Sequence, residues 1–508
     1  MTQDKSTGSQ SLSRRGFKAA LYNYVGKFGS ELFALLTTAY VIKRLSVGEY
    51  GVYSILVSTI TIVLSIGFGI HQVWGRYIPE FLQKKDWRSI GRLLAWGTGI
   101  RFASLGIFVG AVYGIREVAV TRFGIFPELL DHFFVFALVI LFTAGSQLFR
   151  RLLGAQLEHK FWNLTVVAYG ALRFALFYTF LKLGYGIVGI LWGWAIVEGF
   201  RFALFLGRNL YLLLPKLIAA PKVAQWPVRR MLRFGSFFFV SKVANQILDF
   251  SIDTYFLAFY AGRYDVGLYS LAARVALYAA ALSPAASLQN IFTPILIRKY
   301  VQTESKAPLI YGYRLYNKLV VFIGLPMLLG IALLSDKLIT YVFKTSYLAA
   351  VPALIGWLLI VFIKMLRNAF EPTIKVLERS EILFYSMSSA VLNIGLNFLL
   401  IPRWGIVGAL LATGTSFTLA YFLELWLLKK RIAVTYPWKA FSKICVNSVV
   451  MGAVVWLLRP WIHSIFSLVG VCFAGAVVYF AVAVFNKSFS DQDRDLLNGA
   501  IGRRVFLF

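Results

Sequence analysis

Long apolar stretches alternate with short polar connections from near Ala20 to near Phe485. Each stretch holds about 20 residues, the length at which a helix crosses a hydrocarbon core about 30 Å thick. The pattern predicts fourteen spans, with cores at 20–42, 51–73, 93–114, 132–153, 162–183, 185–207, 234–259, 267–292, 310–333, 347–370, 381–401, 404–428, 440–458 and 463–485. The sequence therefore predicts an all-α polytopic membrane protein.

The composition supports a membrane protein. Hydrophobic residues make up 59% of the 508 positions and charged residues only 15%, whereas a soluble domain has about 25% charged residues. The four histidines and two cysteines show no metal-ligand spacing, and no G-x-x-x-x-G-K-[ST] phosphate loop occurs. We expect no metal, no cofactor and no nucleotide-driven chemistry of the chain's own.

The distribution of basic residues predicts the orientation in the membrane. With a cytoplasmic N-terminus, 35 of the 52 Lys and Arg residues fall in the tails and in every second connection, and only 10 in the connections on the other side. Positive charge collects on the cytoplasmic side of membrane proteins, so both termini are expected there. The net charge of +30 is then expected to meet anionic lipid headgroups and not nucleic acid.

Several short motifs occur twice along the chain. The turn RLSVGEYGVYS at Arg44–Ser54 returns in the segment Phe259–Arg274, which places Tyr269 at an offset of 216 from Tyr53. GIVG at Gly186–Gly189 returns 219 residues later, and Glu158 is matched by Glu378 at an offset of 220. A period of this kind indicates two copies of one unit. Since each copy holds an even number of spans, the two copies are parallel in the membrane.

The repeat predicts the domain organisation. We expect a cytoplasmic tail at 1–19, an N-lobe of spans 1 to 6 at 20–208 and a cytoplasmic linker at 209–233. A C-lobe of spans 7 to 12 follows at 234–431, then spans 13 and 14 at 432–485 and a cytoplasmic tail at 486–508.

The fourteen-span plan, the RLSVGEYGVYSI turn and the GIVGILWGWA and GIVGALLATG segments resemble one superfamily. They are similar to the polysaccharide-transporter branch, the Wzx-type flippases, of the multidrug/oligosaccharidyl-lipid/polysaccharide exporter superfamily. The resemblance implies two six-helix lobes around a V-shaped cavity in the cytoplasmic (inner) membrane. It implies an isoprenoid-diphosphate-linked oligosaccharide as cargo, in the synthesis of O-antigen, capsule or exopolysaccharide. A polysaccharide polymerase and chain-length machinery are then expected partners.

Seven cations lie within the predicted spans. At about 2.5–3.5 kcal/mol each, they are too costly to leave facing lipid. For Lys364, near a cytoplasmic helix end, reaching to the interface is favoured, and for the three that lie about two turns deep this remains an alternative. The predicted diphosphate and glycan cradle consists of Lys27, Arg101, Arg173, Arg201, Lys242 and Arg274, because Arg forks and Lys ammonium groups bind phosphate oxygens.

Acidic residues in the spans are fewer. Lys27 with Glu31 and Glu198 with Arg201 are spaced to pair on one helix face. Polar residues form a stripe along one face of span 7, and this stripe ends with Asp249 and Asp253. A carboxylate in a low-dielectric setting can exchange a proton, so the predicted H⁺ or Na⁺ coupling residues are Glu31, Glu198, Asp249 and Asp253.

Other functions stay open at this stage. A peptidoglycan lipid-precursor flippase fits the same charges, whereas a multidrug exporter would favour an acidic cavity. A membrane glycosyltransferase or polymerase would be expected to carry catalytic acids in a sizeable external loop, but the longest external connection, 115–131, holds only scattered acids. A purely structural scaffold would not need the buried charges.

Overall fold

The computed structural model describes residues 26, 28–65, 69–125, 127–156, 158–218, 228–232, 235–236, 239, 246, 250–283, 305–370, 373–374, 377, 381–382, 385, 388–501 and 506. These residues form helices joined by short turns, and no β-strand occurs among them. The all-α prediction is confirmed.

The chain divides into two compact units, Met1–Gln246 and Ile247–Phe508. The helices described in the first unit are α1 (28–44), α2 (Val47–Ser65), α3 (Ile70–Gln83), α4 (Trp87–Gly114), α5 (Arg116–Phe123), α6 (Glu128–Asp131), α7 (Phe133–Ala155), α8 (His159–Lys182) and α9 (Gly186–Ile218). A short helical segment at 228–232 follows.

The second unit begins with α10 (Phe250–Tyr260), α11 (Arg263–Leu282), α12 (Ala307–Leu333), α13 (Ser335–Val342) and α14 (Val351–Arg367). It continues with α15 (Ser388–Lys429), α16 (Trp438–Leu458), α17 (Ile465–Asn486) and the short α18 (Asp491–Ile501). Two 3₁₀ turns, Thr345–Ala350 and Arg459–Trp461, precede α14 and follow α16.

Eleven helical segments of the described chain are long and apolar enough to cross a membrane. Their outward surfaces are apolar: on α17, Phe466, Phe473 and Phe485 are 85%, 71% and 86% exposed. Contiguous apolar surface of this kind belongs against lipid and not water. The chain is a multi-pass membrane protein. The count of fourteen spans stays a prediction, because spans 1, 2, 7, 8 and 11 lie partly outside the described residues.

Tight glycine turns form the hairpins of both units. Gly184 and Gly186 join α8 to α9 with φ of 86° and 53°, a region that costs other residues steric strain. In α15, Gly405 has φ 50° and breaks the helix into two. The amide of Asn393 donates to the Thr413 hydroxyl at 3.1 Å, whereas a straight helix would separate these residues by about 30 Å. The chain therefore folds back at Gly405, and α15 covers spans 11 and 12.

Two predicted boundaries differ from the structure. The span predicted over 51–73 is interrupted near its end: residues 66–68 lie outside the described residues, and α3 begins at Ile70 after Gly69, whose φ is 70°. The linker predicted over 209–233 begins as helix, because α9 continues to Ile218.

The last two spans pack on the second unit. Met451 and Val455 of α16 and Leu468 and Tyr479 of α17 share one buried core with residues of α12. The Tyr479 hydroxyl donates to the Phe322 carbonyl at 2.6 Å. Helices α12, α16 and α17 therefore form one packed layer.

Candidate functional site

The first unit contains a buried ion pair on α9, at its contact with α8. The Glu198 side chain is 2% exposed and accepts from Arg201 Nη2 at 2.5 Å, as the i, i+3 spacing predicts. It also accepts from the Tyr169 hydroxyl at 2.7 Å and lies 3.4 Å from Trp194 Nε1. The Arg201 guanidinium stands 4.1 Å from the Tyr169 ring centroid. Three donors surround this carboxylate, so the desolvation of both charges is offset by pairing and hydrogen bonds.

Arg173 joins the same cluster from α8. Its guanidinium lies 5.0 Å from the ring centroid of Trp194 and 5.1 Å from that of Phe177. Its Nη2 is 3.5 Å from the Tyr53 hydroxyl on α2. Aromatic faces attract a guanidinium more strongly where water is excluded. We call Tyr53, Tyr169, Arg173, Trp194, Glu198 and Arg201 the N-lobe cluster.

A polar cavity lies at the ends of α3, α7 and α9 in the same unit. It has a volume of about 1070 Å³ and is lined by Arg150, Arg151, Lys216 and Glu158, among others. Glu158 is paired with Arg208 at 3.0 Å. Arg150 is near enough to Arg201 for the two guanidinium charges to repel. Cationic groups thus run from this cavity to the N-lobe cluster.

Arg101 has a different setting from Arg173 and Arg201. Its side chain is fully buried, and Nη2 donates to the Leu64 carbonyl at 2.9 Å. Leu64 lies at the end of the described part of α2. Arg101 therefore connects α4 to the backbone of α2.

The second unit surrounds Asp253 of α10 with neutral hydrogen-bond donors. The carboxylate is fully buried; Oδ2 accepts from the hydroxyls of Tyr269 and Thr413 at 2.5 and 2.6 Å, and Oδ1 from the amide of Asn397 at 2.9 Å. Asn393 connects Asn397 and Thr413 through further hydrogen bonds. We call Asp253, Tyr269, Asn393, Asn397 and Thr413 the C-lobe cluster.

Rotatable hydroxyls give the C-lobe cluster its chemistry. A hydroxyl can donate or accept, whereas the amide nitrogen only donates. If Asp253 is protonated on Oδ2, Tyr269 or Thr413 can turn to accept that proton's hydrogen bond. The carboxylate, amide and hydroxyl oxygens are also the hard ligands that small cations prefer. The cluster can therefore serve a proton or a small cation.

The two clusters occupy matching positions of the sequence repeat. Tyr53 corresponds to Tyr269 at an offset of 216, Arg173 to Asn393 at 220 and Trp194 to Thr413 at 219. At the offset of 216, Asp253 corresponds to Thr37. The first unit therefore places arginine and tryptophan where the second places amide and hydroxyl, and the second has a carboxylate where the first has a hydroxyl.

The remaining predicted residues are placed as follows. Glu31 is half-buried on α1, and Arg274 is half-buried on α11, five residues after Tyr269. Lys27, Lys242 and Asp249 lie outside the described residues. Lys364 Nζ stands 5.6 Å from the Phe417 ring centroid and lines a cavity of about 210 Å³. Glu424 is buried, and its Oε1 accepts hydrogen bonds from Nη2 and Nε of Arg367 at 2.7 and 3.0 Å.

Sequence reasoning missed several members of the clusters. Tyr53 and Tyr269 lie just after the repeated turn, where an aromatic ring suits the membrane interface, so the sequence gives no sign of a polar role. Asn393 and Asn397 carry no charge and are hidden in an apolar run. Their i, i+4 spacing on one helix face was the available signal, since two amides on one stripe of a membrane helix require partners.

The fold is that of known flippases and drug exporters. The lipid II flippase MurJ, in its inward closed conformation, superimposes with a TM-score of 0.69, at 17% identity, over 95% of this chain and 100% of MurJ. The Vibrio cholerae transporter VcmN, of the MATE (multidrug exporter) class, gives 0.57 at 14% identity, over 84% and 99% of the two chains.

Two relatives are also similar in sequence. The teichuronic acid biosynthesis protein TuaB of Bacillus subtilis is 24% identical over 279 residues, which span 54% of this chain and 52% of TuaB. The probable flippase AglR of Haloferax volcanii is 23% identical over 484 residues, 92% of this chain and 95% of AglR.

The polysaccharide biosynthesis protein family matches residues 41–352, and the chain belongs to this family. This membership and the fold shared with MurJ and VcmN support the expected resemblance to the polysaccharide-transporter branch of the multidrug/oligosaccharidyl-lipid/polysaccharide exporter superfamily. The expected resemblance is confirmed.

Proposed function

We propose that the protein is a flippase that moves an isoprenoid-diphosphate-linked oligosaccharide across the cytoplasmic membrane by alternating access of its two lobes. The observation that carries the proposal is the N-lobe cluster, in which two arginines, one glutamate and three aromatic side chains meet inside a bundle of spanning helices. A diphosphate is the part of such a cargo that needs cations, and Arg binds its oxygens with two parallel N–H donors. The isoprenoid chain is soluble in the bilayer.

The cluster supports a defined sequence of contacts. The cavity lined by Arg150, Arg151 and Lys216 receives the diphosphate at the side predicted to be cytoplasmic. Arg201 then exchanges part of its contact with Glu198 for phosphate oxygens, while Tyr169 keeps its hydrogen bond to that carboxylate. Trp194 offers a ring face to the first sugar, since flat aromatic surfaces suit the apolar face of a pyranose.

The C-lobe cluster is the proposed coupling element. Uptake of a proton or a cation at Asp253 changes the charge of a fully buried site. A bound ligand shifts a conformational equilibrium only by its differential affinity for the two states. We infer that the two access states differ in how well they hold this ion, so that a gradient biases the direction of transport.

The decisive experiment measures translocation of a fluorescent undecaprenyl-diphosphate oligosaccharide in proteoliposomes. Arg173→Ala and Arg201→Ala are expected to reduce the rate at least tenfold, because each removes a phosphate-binding fork. Arg173→Lys keeps the charge without the fork and is expected to be intermediate. Arg92→Ala is the matched control, since Arg92 is exposed on α4 of the same unit.

Two outcomes would contradict the proposal. One is translocation that is equal in Arg173→Ala, Arg201→Ala and the control. The other is absence of glycolipid translocation together with export of organic cations, which would identify a drug exporter with the same fold.

A further inference from the structure

A second cationic pocket lies in the other unit, apart from both clusters. It has a volume of about 460 Å³ and opens where α12 and α16 begin and α17 ends. Five of its lining residues are basic and none is acidic: Arg314, Lys318, Lys439, Lys443 and Lys487. Trp438, Ser488 and Ser490 also line it. We call it the helix-end pocket.

Two of the five cations hold the protein together. Lys318 Nζ pairs with Asp493 of α18 at 2.5 Å, and the Asp493 carboxylate is 2% exposed. Lys443 Nζ donates to the carbonyls of Asn486 and Lys487 at 2.8 and 3.1 Å. These are the last carbonyls of α17, which have no partner within the helix. Both lysines are therefore already engaged in contacts within the protein.

The other three cations are available to a ligand. Within the described part of the chain, the side chains of Arg314, Lys439 and Lys487 make no hydrogen bond or ion pair, and all three residues are exposed. Lys487 also has φ 46°, a backbone conformation that glycine adopts at less cost. A lysine at this position keeps its charge at the mouth of the pocket despite the backbone penalty.

The surroundings of the pocket are those of the membrane interface. Trp438, which lines it, is 72% exposed at the start of α16, and Phe485 is exposed two residues before Lys487. Tryptophan is enriched at the level of lipid headgroups. A phospholipid can place its phosphate between the three cations and its acyl chains beside the apolar surface of Trp438 and Phe485. A soluble anion can contact the cations but leaves the apolar surface uncovered.

We propose that the helix-end pocket binds the phosphate of an anionic phospholipid that has no cationic headgroup, of which phosphatidylglycerol is an example. Arg314 offers a planar fork, and Lys439 and Lys487 offer ammonium groups, to the phosphate oxygens. Such a lipid bridges the starts of α12 and α16 and the end of α17. This assignment is independent of the flippase proposal, since no residue of either cluster takes part.

The test is native mass spectrometry of the detergent-solubilised full chain titrated with dioleoyl phosphatidylglycerol. The triple variant Arg314→Gln/Lys439→Gln/Lys487→Gly is expected to bind this lipid at least tenfold more weakly than the wild type. Lys429→Gln/Arg431→Gln is the matched control, because both residues are exposed just beyond the pocket at the end of α15. The control is expected to bind like the wild type, and phosphatidylcholine is expected to bind neither protein.

Folding is checked with the single variant Lys487→Gly. It removes a cation and relieves the left-handed backbone, so it is expected to weaken binding about threefold while Tm stays at or above the wild-type value. Equal binding by the triple variant and the control would overturn the proposal. Displacement of the lipid by millimolar inorganic phosphate would also overturn it and would indicate a soluble anion, and displacement by the undecaprenyl-diphosphate glycolipid would assign the pocket to the cargo.

Discussion

Arg101 shows how a buried arginine can connect two helices through a backbone carbonyl. Its side chain is fully buried and binds the Leu64 carbonyl. Removal of the guanidinium deletes this hydrogen bond and opens a cavity, at a cost of about 2–4 kcal/mol. We therefore expect Arg101→Ala to lower Tm while the translocation rate per folded molecule stays close to that of the wild type.

Thermal unfolding and translocation measured on the same preparation test this prediction. Arg92→Ala, an exposed change on the same helix, is the control for both. If Arg101→Ala abolished translocation at an unchanged Tm, Arg101 would belong to the cargo site, as its depth in the sequence pattern suggests.

Asp253 carries the residue-scale prediction for energy coupling. Asparagine has nearly the same shape and keeps hydrogen bonds with Tyr269 and Thr413, but it cannot exchange a proton and holds a cation less strongly. Asp253→Asn is expected to remove the response of translocation to an imposed H⁺ or Na⁺ gradient. Proteoliposomes with each gradient imposed separately identify the ion.

Asp336→Asn is the control, since Asp336 pairs with Arg459 at 2.8 Å in a partly exposed position. A gradient response that survives in Asp253→Asn would exclude the C-lobe cluster from coupling.

The sequence pointed to single charged residues in the spans more readily than to their partners. Glu198 and Arg201 are three positions apart, so helix geometry alone predicts their pair. The partners of Asp253 lie 16, 144 and 160 residues away, at Tyr269, Asn397 and Thr413. Only the folded chain brings them together, and their neutral side chains do not stand out in apolar runs.

At the scale of elements, Gly405 is the hinge of a helical hairpin. An alanine at this position would have to adopt φ 50°, and its methyl group would lie 3.4 Å from Asp265 Oδ2. With ψ of −124°, this backbone conformation costs a residue with a side chain about 1–3 kcal/mol, so Gly405→Ala is expected to lower the stability of the hairpin by this amount. Gly395→Ala is the internal control, because Gly395 lies within α15 with nothing near its added methyl group.

Thermal unfolding of the two variants separates the effects. Gly395→Ala is expected to be neutral or to gain up to about 1 kcal/mol through helix propensity. Equal Tm changes in both would show that the turn at Gly405 tolerates a side chain.

The short helix α18 is attached by a second testable contact. Asp493 accepts from Lys318 and, at 2.8 Å, from the Tyr311 hydroxyl. Burial raises the pKa of Asp493, but the hydrogen bonds from Lys318, Tyr311 and Ser490 outweigh it and hold the pKa below the usual 3.8. A lowered pKa in the folded state stabilises the contact above pH 3.8, and this stabilisation is lost as the pH falls through the folded value.

Attachment of α18 is therefore expected to be constant from pH 5 to 8. Asp493→Asn removes the charge and is expected to increase amide exchange in α18 at neutral pH, measured by hydrogen–deuterium exchange. Asp495→Asn, an exposed change on the same helix, is the control. Unchanged exchange in Asp493→Asn would show that apolar contacts alone hold the helix.

The ends of helices were predicted most accurately where the sequence contains strong turn signals. The hairpins at Gly184–Gly186 and Gly405 combine glycine with a break in an apolar run. The break between α2 and α3 was missed, because the run around Gly69 stays apolar and suggests one span. Hydropathy reports the burial of a segment in lipid, and it does not report where the backbone turns within that segment.

At the scale of the whole molecule, the repeat was visible because the same turns must close equivalent helices in both copies. The sequence offsets also align the two clusters, which are chemically different: arginines and aromatic rings in the first unit, a carboxylate with amides and hydroxyls in the second. A symmetric plan thus carries an asymmetric charge distribution. The predicted repeat accounts for the architecture, and a few substitutions between its copies account for the different chemistry of the two clusters.

This asymmetry has an evolutionary consequence. Each cluster is built from helices of its own half, so a mutation that alters one cluster leaves the hydrogen bonds of the other intact. If the N-lobe cluster binds the cargo and the C-lobe cluster the ion, as proposed, selection after an ancestral duplication acts on cargo preference in one copy and on energy source in the other without a compromise between them. Under these proposed roles, chimaeras that exchange whole halves between relatives would inherit the two traits separately.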